Sequence, residues 1–184
     1  MLGFLGLSTR MDYSETFITR DQAGNRNQRA GVWRGSAGVN TQIFGTFRRP
    51  IGPLRALRHV VTPSVSFAYQ PSYPKLFYRT VTGVLAPRFA GVSGIGALGA
   101  AEQRSLQFSL RNDLHLKWGD PQQPTVINNF IQMNTSGSYD FLAERFGRKP
   151  LSDLSTSLRL APTPRRDFSF AFLHNPYDRR LLSF

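Results

Sequence analysis

From Ser105 to Trp118 the chain alternates with a period of two. Leu106, Phe108, Leu110, Leu114, Leu116 and Trp118 fall on one side, and Gln107, Ser109, Arg111, Asp113, His115 and Lys117 fall on the other. Only Asn112 interrupts the apolar set. Wound as a helix, these residues would scatter apolar and charged groups around the whole circumference and leave no stripe to bury. The pattern predicts a β-strand. It recurs along the chain. Leu5, Leu7, Met11, Tyr13 and Phe17 alternate with Gly6, Ser8, Arg10, Asp12 and Ser14. Trp33, Ala37, Val39, Ile43 and Phe47 alternate with Arg34, Ser36, Asn40 and Gln42. Val61, Val65, Phe67 and Tyr69 alternate with Thr62, Ser64, Ser66 and Gln70. Further runs centre on Ile127, Ile131, Met133 and Tyr139, on Leu154, Leu158 and Leu160, and on Phe168, Phe170 and Phe172. The result is about seven strands, several beyond the roughly 9–11 residues a tilted strand needs to cross a bilayer.

Turn chemistry separates them. Asp21-Gln22-Ala23-Gly24-Asn25 joins the first two strands, Gly119-Asp120-Pro121 follows the fourth, and Pro162-Thr163-Pro164-Arg165-Arg166 makes a tight link before the last. Residues 71–103 differ. They hold Pro71, Pro74 and Pro87 and then a Gly/Ala-rich run, and they read as one long loop without a period. Membrane barrels place short turns at one end and long loops at the other. With 71–103 at the long-loop end, the connections near 20–30 and 142–152 share it, and those near 119–125 and 162–166 are short as required. The 48–59 link is longer than this scheme expects. No helix of useful length and no repeat is visible.

Composition sharpens the class. Hydrophobic residues make up 40% and aromatic residues 12%. Charged residues reach only 18%, below the roughly 25% of soluble domains. Neutral polar residues replace the missing charge, which suits a wall with hydrocarbon on one face and water on the other. Net charge is +12 with a pI near 11.2, so an acidic partner is expected. The basic residues are scattered singly, and the clusters Arg48-Arg49, Arg165-Arg166 and Arg179-Arg180 fall in connections. That favours a lumen or headgroup coat over a nucleic-acid-binding helix. There is no Cys, which removes disulfides and thiol chemistry. No run reaches the ~18 apolar residues of a membrane helix. The opening Met1–Leu7 lacks a basic n-region and a cleavage site, so it is a poor signal peptide. About seven strands cannot close a barrel whose minimum is eight, and the expectation is a fragment of a larger one.

Candidate chemistry is sparse, and the chain is expected to be no enzyme. His115 and His174 stand alone without a second ligand at metal spacing. Ser109, Asp113 and His115 share a face, but Ser109 and His115 lie roughly 20 Å apart along a strand, too far for a triad. Gly91–Gly99 is glycine-rich without the Lys of a phosphate loop. No catalytic, cofactor or metal residue is expected. Trp33, Trp118, Tyr69 and Tyr139 lie towards strand ends, where an aromatic girdle or ordinary packing would use them. Pro63 sits within a strand, which implies an edge, a bulge or a weakened seam. The terminal Phe184 resembles the last aromatic of many membrane barrels, but Arg179-Arg180 breaks the alternation before it.

Gly45-Thr46-Phe47 is followed by Leu57-Arg58-His59-Val60-Val61-Thr62-Pro63-Ser64-Val65-Ser66-Phe67-Ala68-Tyr69-Gln70-Pro71. This stretch resembles the barrel domain of the lipopolysaccharide-assembly LptD (OstA) family, in its Bacteroidetes-like branch. Arg58, His59, Pro63, Tyr69 and Pro71 carry the most specific part. Ser105–Asn112, Ser136–Phe141, Pro150-Leu151-Ser152 and Asn175-Pro176-Tyr177-Asp178 continue the likeness, the last with Asn where the family has Asp. The family's periplasmic domain and inter-domain disulfides have no counterpart here. The resemblance implies residues 1–184 are part of an outer-membrane barrel: an all-β antiparallel meander, an incomplete transmembrane β-barrel. It implies lipopolysaccharide as cargo, outer-membrane lipid as surroundings, and no cofactor or nucleic acid. Partners would be a plug lipoprotein, the periplasmic bridge components and the barrel-assembly machinery. On that reading Arg10, Arg34, Arg111, Lys117 and Arg159, on the polar phase of their strands, line the substrate path and meet lipid phosphates. Arg58 and His59 read either as functional or as a basic strand entrance at the interface. Three rivals stand beside this reading: another outer-membrane channel such as a porin-like or fatty-acid barrel, a soluble basic β-sandwich that binds nucleic acid or glycan, and an outer-membrane enzyme, for which the sequence offers no catalytic cluster. The sandwich would bury the apolar faces against each other.

Overall fold

The structure is a computed structural model that describes residues 2–48, 51–92, 101–163, 166–178 and 180–183. Arg49, residues 93–100 of the glycine-rich run, Arg165, Arg179 and Phe184 lie outside the described residues. The strands are β1 (Leu2–Arg20), β2 (Arg26–Phe47), β3 (Leu54–Gln70), β4 (Phe77–Arg79), β5 (Leu85–Pro87), β6 (Gln103–Gly119), β7 (Pro124–Asp140), β8 (Leu154–Thr163), β9 (Arg166–Asn175) and β10 (Arg180–Ser183). Each alternating run has become one long strand. These seven form an antiparallel meander in the order β1-β2-β3-β6-β7-β8-β9, with the short β10 added beyond β9. The sheet is open, with β1 and β10 outermost. A separate two-stranded ribbon pairs β4 with β5.

Two compact units are present, Met1–Ser8, Gly38–Ser66 and Leu106–Phe184 in the first, and Thr9–Ala37 with Phe67–Ser105 in the second. In the first, register separates the two faces. Ile131 sits opposite Leu160 and Met133 opposite Leu158, and these continue to Phe168 and Phe170 on β9. Between them Gln132 faces Arg159, Asn134 faces Ser157, and Arg159 faces Ser169. Because side chains alternate, a slip of one residue would exchange the two faces wholesale. Gly137 interrupts the apolar face of β7. Phe108 and Leu154 close over the gap, and a Cβ at Gly137 would come within 2.8 Å of the Phe108 ring and 2.7 Å of Leu154.

The apolar faces stand open. Leu7 is 72% exposed, Phe168 52% and Leu110 42%, and Val39, Ile43, Val65, Trp118 and Met133 are likewise exposed. Apolar side chains left open along one phase of successive strands mark a surface that something other than the sheet itself covers. The sandwich reading required these side chains to be sealed together, and they are not.

Buried apolar residues are few, and those that cluster lie in the second unit. Ala30 and Val32 pack with Leu76 and Phe89, with Ile18, Tyr73, Phe77 and Val92 around them. Ala30 and Val32 lie on the same phase of β2 as Arg34, so this cluster forms on the polar face. The expected structureless loop is therefore folded over 71–92. A single-turn 3-10 helix (Pro74–Leu76) and the β4–β5 ribbon fold this segment back onto β2. The sequence hid this because three-residue strands are too short to show a period.

Two boundaries also differ from expectation. β3 begins at Leu54, so the link after β2 shortens to residues 48–53, with Gly52 at φ +58°. Leu54, Ala56 and Val60 put apolar residues on the polar phase there, which erased the alternation. Pro63 lies inside β3, an interior strand. It is thus at no sheet edge, and its missing N–H leaves one rung of a ladder unmade.

Candidate functional site

The polar face is the part of the molecule with chemistry to offer. In the first unit it carries a continuous chain of polar contacts across four strands. Asp113 accepts from Arg111 Nε at 2.9 Å and from Gln132 Nε2 at 3.1 Å. Gln132 Oε1 in turn accepts from Arg159 Nη1 at 3.2 Å, and Arg159 Nε donates to Asp167 at 2.7 Å. The row runs β6-β7-β8-β9 and contains two cations and two carboxylates. Its net charge is zero.

Beside this row lies a hollow of about 440 Å³ lined chiefly by hydroxyls, among them Ser64, Ser66, Ser109, Ser136, Ser138 and Ser155. Ser64 and Ser109 share a hydrogen bond at 2.8 Å. His115 Nδ1 accepts from the Asn129 N–H at 3.2 Å, a contact that fixes the ring's proton on Nε2. Ser109, Asp113 and His115 are thus each engaged with a different partner. Lys117 is exposed and forms no ion pair among the described residues.

In the second unit Arg10 binds Asp12 through two nitrogens, at 2.9 and 2.8 Å, and Arg34 Nε reaches the same carboxylate at 3.3 Å. Four of the five basic residues assigned to the path therefore hold carboxylates, leaving Lys117 as the member of that set with no ion pair among the described residues. A face with such pairs is wet and polar, with little unbalanced charge.

The motif residues divide differently. The Arg58 guanidinium stacks on the Phe44 ring at 5.0 Å. His59 and Asn112 hydrogen-bond at 3.1 Å on the apolar face, which explains the one polar residue in the β6 apolar run. Tyr69 packs on Trp33 with centroids 5.5 Å apart, and Arg104 lies over Tyr69 at 5.6 Å. Trp33 is well inside β2 rather than at its end. It is level with the end of β3, because β2 has 22 residues and β3 has 17. The backbone N–H of Trp33 donates to the Tyr73 hydroxyl at 2.7 Å, and that hydroxyl donates to the Trp33 carbonyl. A side chain here replaces the missing strand. Pro71 follows β3 directly and marks where its ladder ends. In Asn175-Pro176-Tyr177-Asp178 the Asn175 Oδ1 accepts from the Tyr177 N–H at 2.9 Å, a role Asp fills equally well.

Sequence reading missed Asp12, Gln132 and Asp167 as partners, and missed a latch in the second unit. The Asp21 carboxylate, its side chain fully buried, accepts from the Asn25 N–H at 2.7 Å, Asn25 Nδ2 at 3.0 Å and Arg88 Nη1 at 3.1 Å. The Gln22 N–H donates to the Arg88 carbonyl at 3.0 Å. Burial pushes the Asp21 carboxyl upward, but the bonds from Asn25 and Arg88 outweigh it and hold the group below its ordinary value. Asp12 was legible: Arg10-x-Asp12 and Arg111-x-Asp113 put both charges on one face of a strand. Asp167 and Arg88 were not, since their contacts depend on register and on the folded loop.

Among the described residues no three His, Asp or Glu stand close enough to hold a metal. In comparison with known proteins, the family described as "LptD protein" matches residues 4–177. No curated protein and no solved structure matches the chain.

Proposed function

The chain belongs to the LptD protein family, and from that premise we propose that it forms part of the outer-membrane barrel wall along which lipopolysaccharide reaches the outer leaflet. The single observation that carries this reading is the exposure of the apolar faces of long strands whose other faces are polar. Hydrocarbon covers the first, and water with the sugar portion of the cargo occupies the second. The serine hollow and the neutral Arg–Asp–Gln row suit a passing cargo. They offer many hydrogen bonds and little unbalanced charge, so a polyanion is accompanied without being trapped. Lys117 adds one free cation for a phosphate. The wall acts by guiding, not by catalysis. A plug lipoprotein, the periplasmic bridge and the barrel-assembly machinery are its partners on this reading.

The test is photo-crosslinking in living cells with the full-length protein. A crosslinking residue in place of Ser109 or Ser136 should trap lipopolysaccharide while export proceeds. The same residue in place of Leu110 or Met133 should trap phospholipid instead. Export that continues with no lipopolysaccharide adduct from any polar-face position would overturn the proposal.

A further inference from the structure

Charge is unevenly spread along the polar face of the first unit. The middle holds the neutral row from Arg111 to Asp167. Towards the end with the short 48–53 and 120–123 connections, the cations lose their carboxylates. Ser64 of β3 and Ser109 of β6 share a hydrogen bond at 2.8 Å. Arg58 stands six residues before Ser64, and His115 six after Ser109. Antiparallel pairing therefore brings Arg58 and His115 level on the same polar phase. A bond of 2.6 Å from Arg55 Nε to the Gly119 carbonyl keeps the two strands in step towards their ends. Lys117, two residues beyond His115, is then the diagonal neighbour of Arg58, with Cβ atoms roughly 7–8 Å apart. Arg48, exposed at the end of β2, continues the same face and makes no ion pair among the described residues.

Three donors share this patch, and none has an acceptor among the described residues. The Arg58 guanidinium lies over the Phe44 ring at 5.0 Å. A ring supports the flat face of a guanidinium and leaves its in-plane N–H groups open, whereas a carboxylate would consume them. The same stack gives Phe44 a reason to stand on the wet phase of β2. Lys117 is exposed. His115 Nδ1 accepts from the Asn129 N–H, so the proton on Nε2 is left to donate. The flanking carboxylates are engaged elsewhere. Asp113 holds Arg111 and Gln132, and Asp120 accepts from the Gln122 N–H at 2.8 Å.

We propose that Arg58, His115 and Lys117 form a phosphoryl-binding site that takes the phosphate groups of lipopolysaccharide as they enter the polar face. The donor set selects the ligand. A phosphoryl group brings three acceptor oxygens and up to two negative charges. That is enough to meet a guanidinium edge, an ammonium and an imidazole N–H together. That the phosphoryl group belongs to lipopolysaccharide rests on the reading of this face as its path. Short turns mark the periplasmic side of such walls, which is the side from which cargo arrives on that reading. Phosphate is then captured on unpaired cations and handed to a row whose charges are already satisfied.

The experiment measures binding of the full-length protein, in detergent, to fluorescent lipopolysaccharide before and after phosphatase treatment. Inorganic phosphate and an oligoglutamate peptide serve as competitors. Arg58→Gln and Lys117→Gln each remove one cation from the site. Lys75→Gln removes the same charge from an exposed position in the second unit and is the control. Intact lipopolysaccharide should bind about tenfold tighter than the dephosphorylated form, with inorganic phosphate competing and the peptide not. Each site variant should lose about tenfold, the scale of one ionic hydrogen bond, and Lys75→Gln nothing. Phe44→Leu keeps every charge but removes the ring beneath Arg58, and should lose a smaller factor. Heat-dependent gel migration checks that each variant forms its barrel. Equal binding of the two forms of lipopolysaccharide overturns the proposal. So does preference for the peptide, which would make the patch a protein-docking surface. If Ser109 crosslinks to lipopolysaccharide in cells while both site variants bind it undiminished, the phosphoryl site alone is wrong. If inorganic phosphate binds and requires Arg58 while no polar-face position traps lipopolysaccharide, the site stands and the cargo reading falls.

Discussion

Placing an arginine at successive positions along β6 tests the central physical claim in a graded way. A strand advances about 3.3–3.4 Å per residue, and with a tilt near 45° each residue covers about 2.4 Å of membrane depth. An apolar band about 25 Å tall therefore takes roughly ten to eleven residues. β6 has 17 residues, so the band is shorter than the strand and both ends emerge from it. Leu110 is the eighth residue of β6 and lies near the midplane, with its side chain 42% exposed. Leu106 lies four residues, about 10 Å, closer to one edge. Leu110→Arg should cost about 2–4 kcal/mol and Leu106→Arg about 1 kcal/mol. Gln107→Arg, on the opposite face, should cost close to nothing. The larger cost means roughly a 30- to 800-fold change in the folding equilibrium. The assay is guanidinium unfolding of the full-length protein from phospholipid vesicles, followed by tryptophan fluorescence. Equal costs at Leu106 and Leu110 would refute the reasoning, because a sealed protein core has no depth gradient. So would a cost at Gln107 as large as that at Leu110.

Four further substitutions probe separate features. Gly137→Val drives a branched side chain into Phe108 and Leu154 and should destabilise by about 1–3 kcal/mol in the same unfolding assay. Gly45→Ala, with open space above it, should be neutral. Tyr73→Phe removes the hydroxyl that serves the Trp33 backbone; the Trp33 amide should exchange its hydrogen faster, while amides in the interior of β7 keep their rates. The Asp21 latch gives a pH dependence. Its folded carboxyl lies below the unfolded value, so its contribution is present above the ordinary Asp range near pH 3.9 and is lost as pH falls through the lower folded value. Proteolysis of residues 71–92 should therefore be slow at neutral pH and accelerate in acid, and Asp21→Asn should be cleaved readily at neutral pH already.

Much of this fold was legible because period two is a loud signal when strands are long. Leu106 to Trp118 offers seven consecutive apolar-phase positions with one exception, and every comparable run became a strand. The signal failed where the inner phase itself turned apolar. Ala30 and Val32 look like a broken alternation in sequence, and in the structure they are the floor under Leu76 and Phe89. Leu54, Ala56 and Val60 hid the start of β3 in the same way. The candidate site was half visible. Arg10, Arg34, Arg111, Lys117 and Arg159 could be assigned to the polar phase by counting. Their partners could not, apart from Asp12 and Asp113, because cross-strand neighbours are fixed by register and register is not written locally.

That difference changes how the polar face works. Five isolated cations would bind a phosphorylated cargo strongly and release it slowly. Arg111 and Arg159, locked with Asp113, Gln132 and Asp167, present instead a row whose charges are already satisfied. The exposed Arg159–Asp167 pair contributes modestly to stability, about 0.2–1 kcal/mol, so it can open for an incoming phosphate and close behind it at small cost. Asp113→Ala therefore acts in two opposed ways. It frees Arg111, which keeps half its surface in water, to hold an anion, and it costs the wall about 1–3 kcal/mol, because the buried Asp113 carboxylate also accepts from Gln132, whose N–H loses its partner. A wall that guides cargo should then slow rather than fail: crosslinks from Ser109 to lipopolysaccharide should persist longer in a pulse-chase, with assembly of the barrel unchanged. A shorter dwell in Asp113→Ala would mean that the carboxylate attracts the cargo, through a bridging cation, and that the paired row is not a device for release.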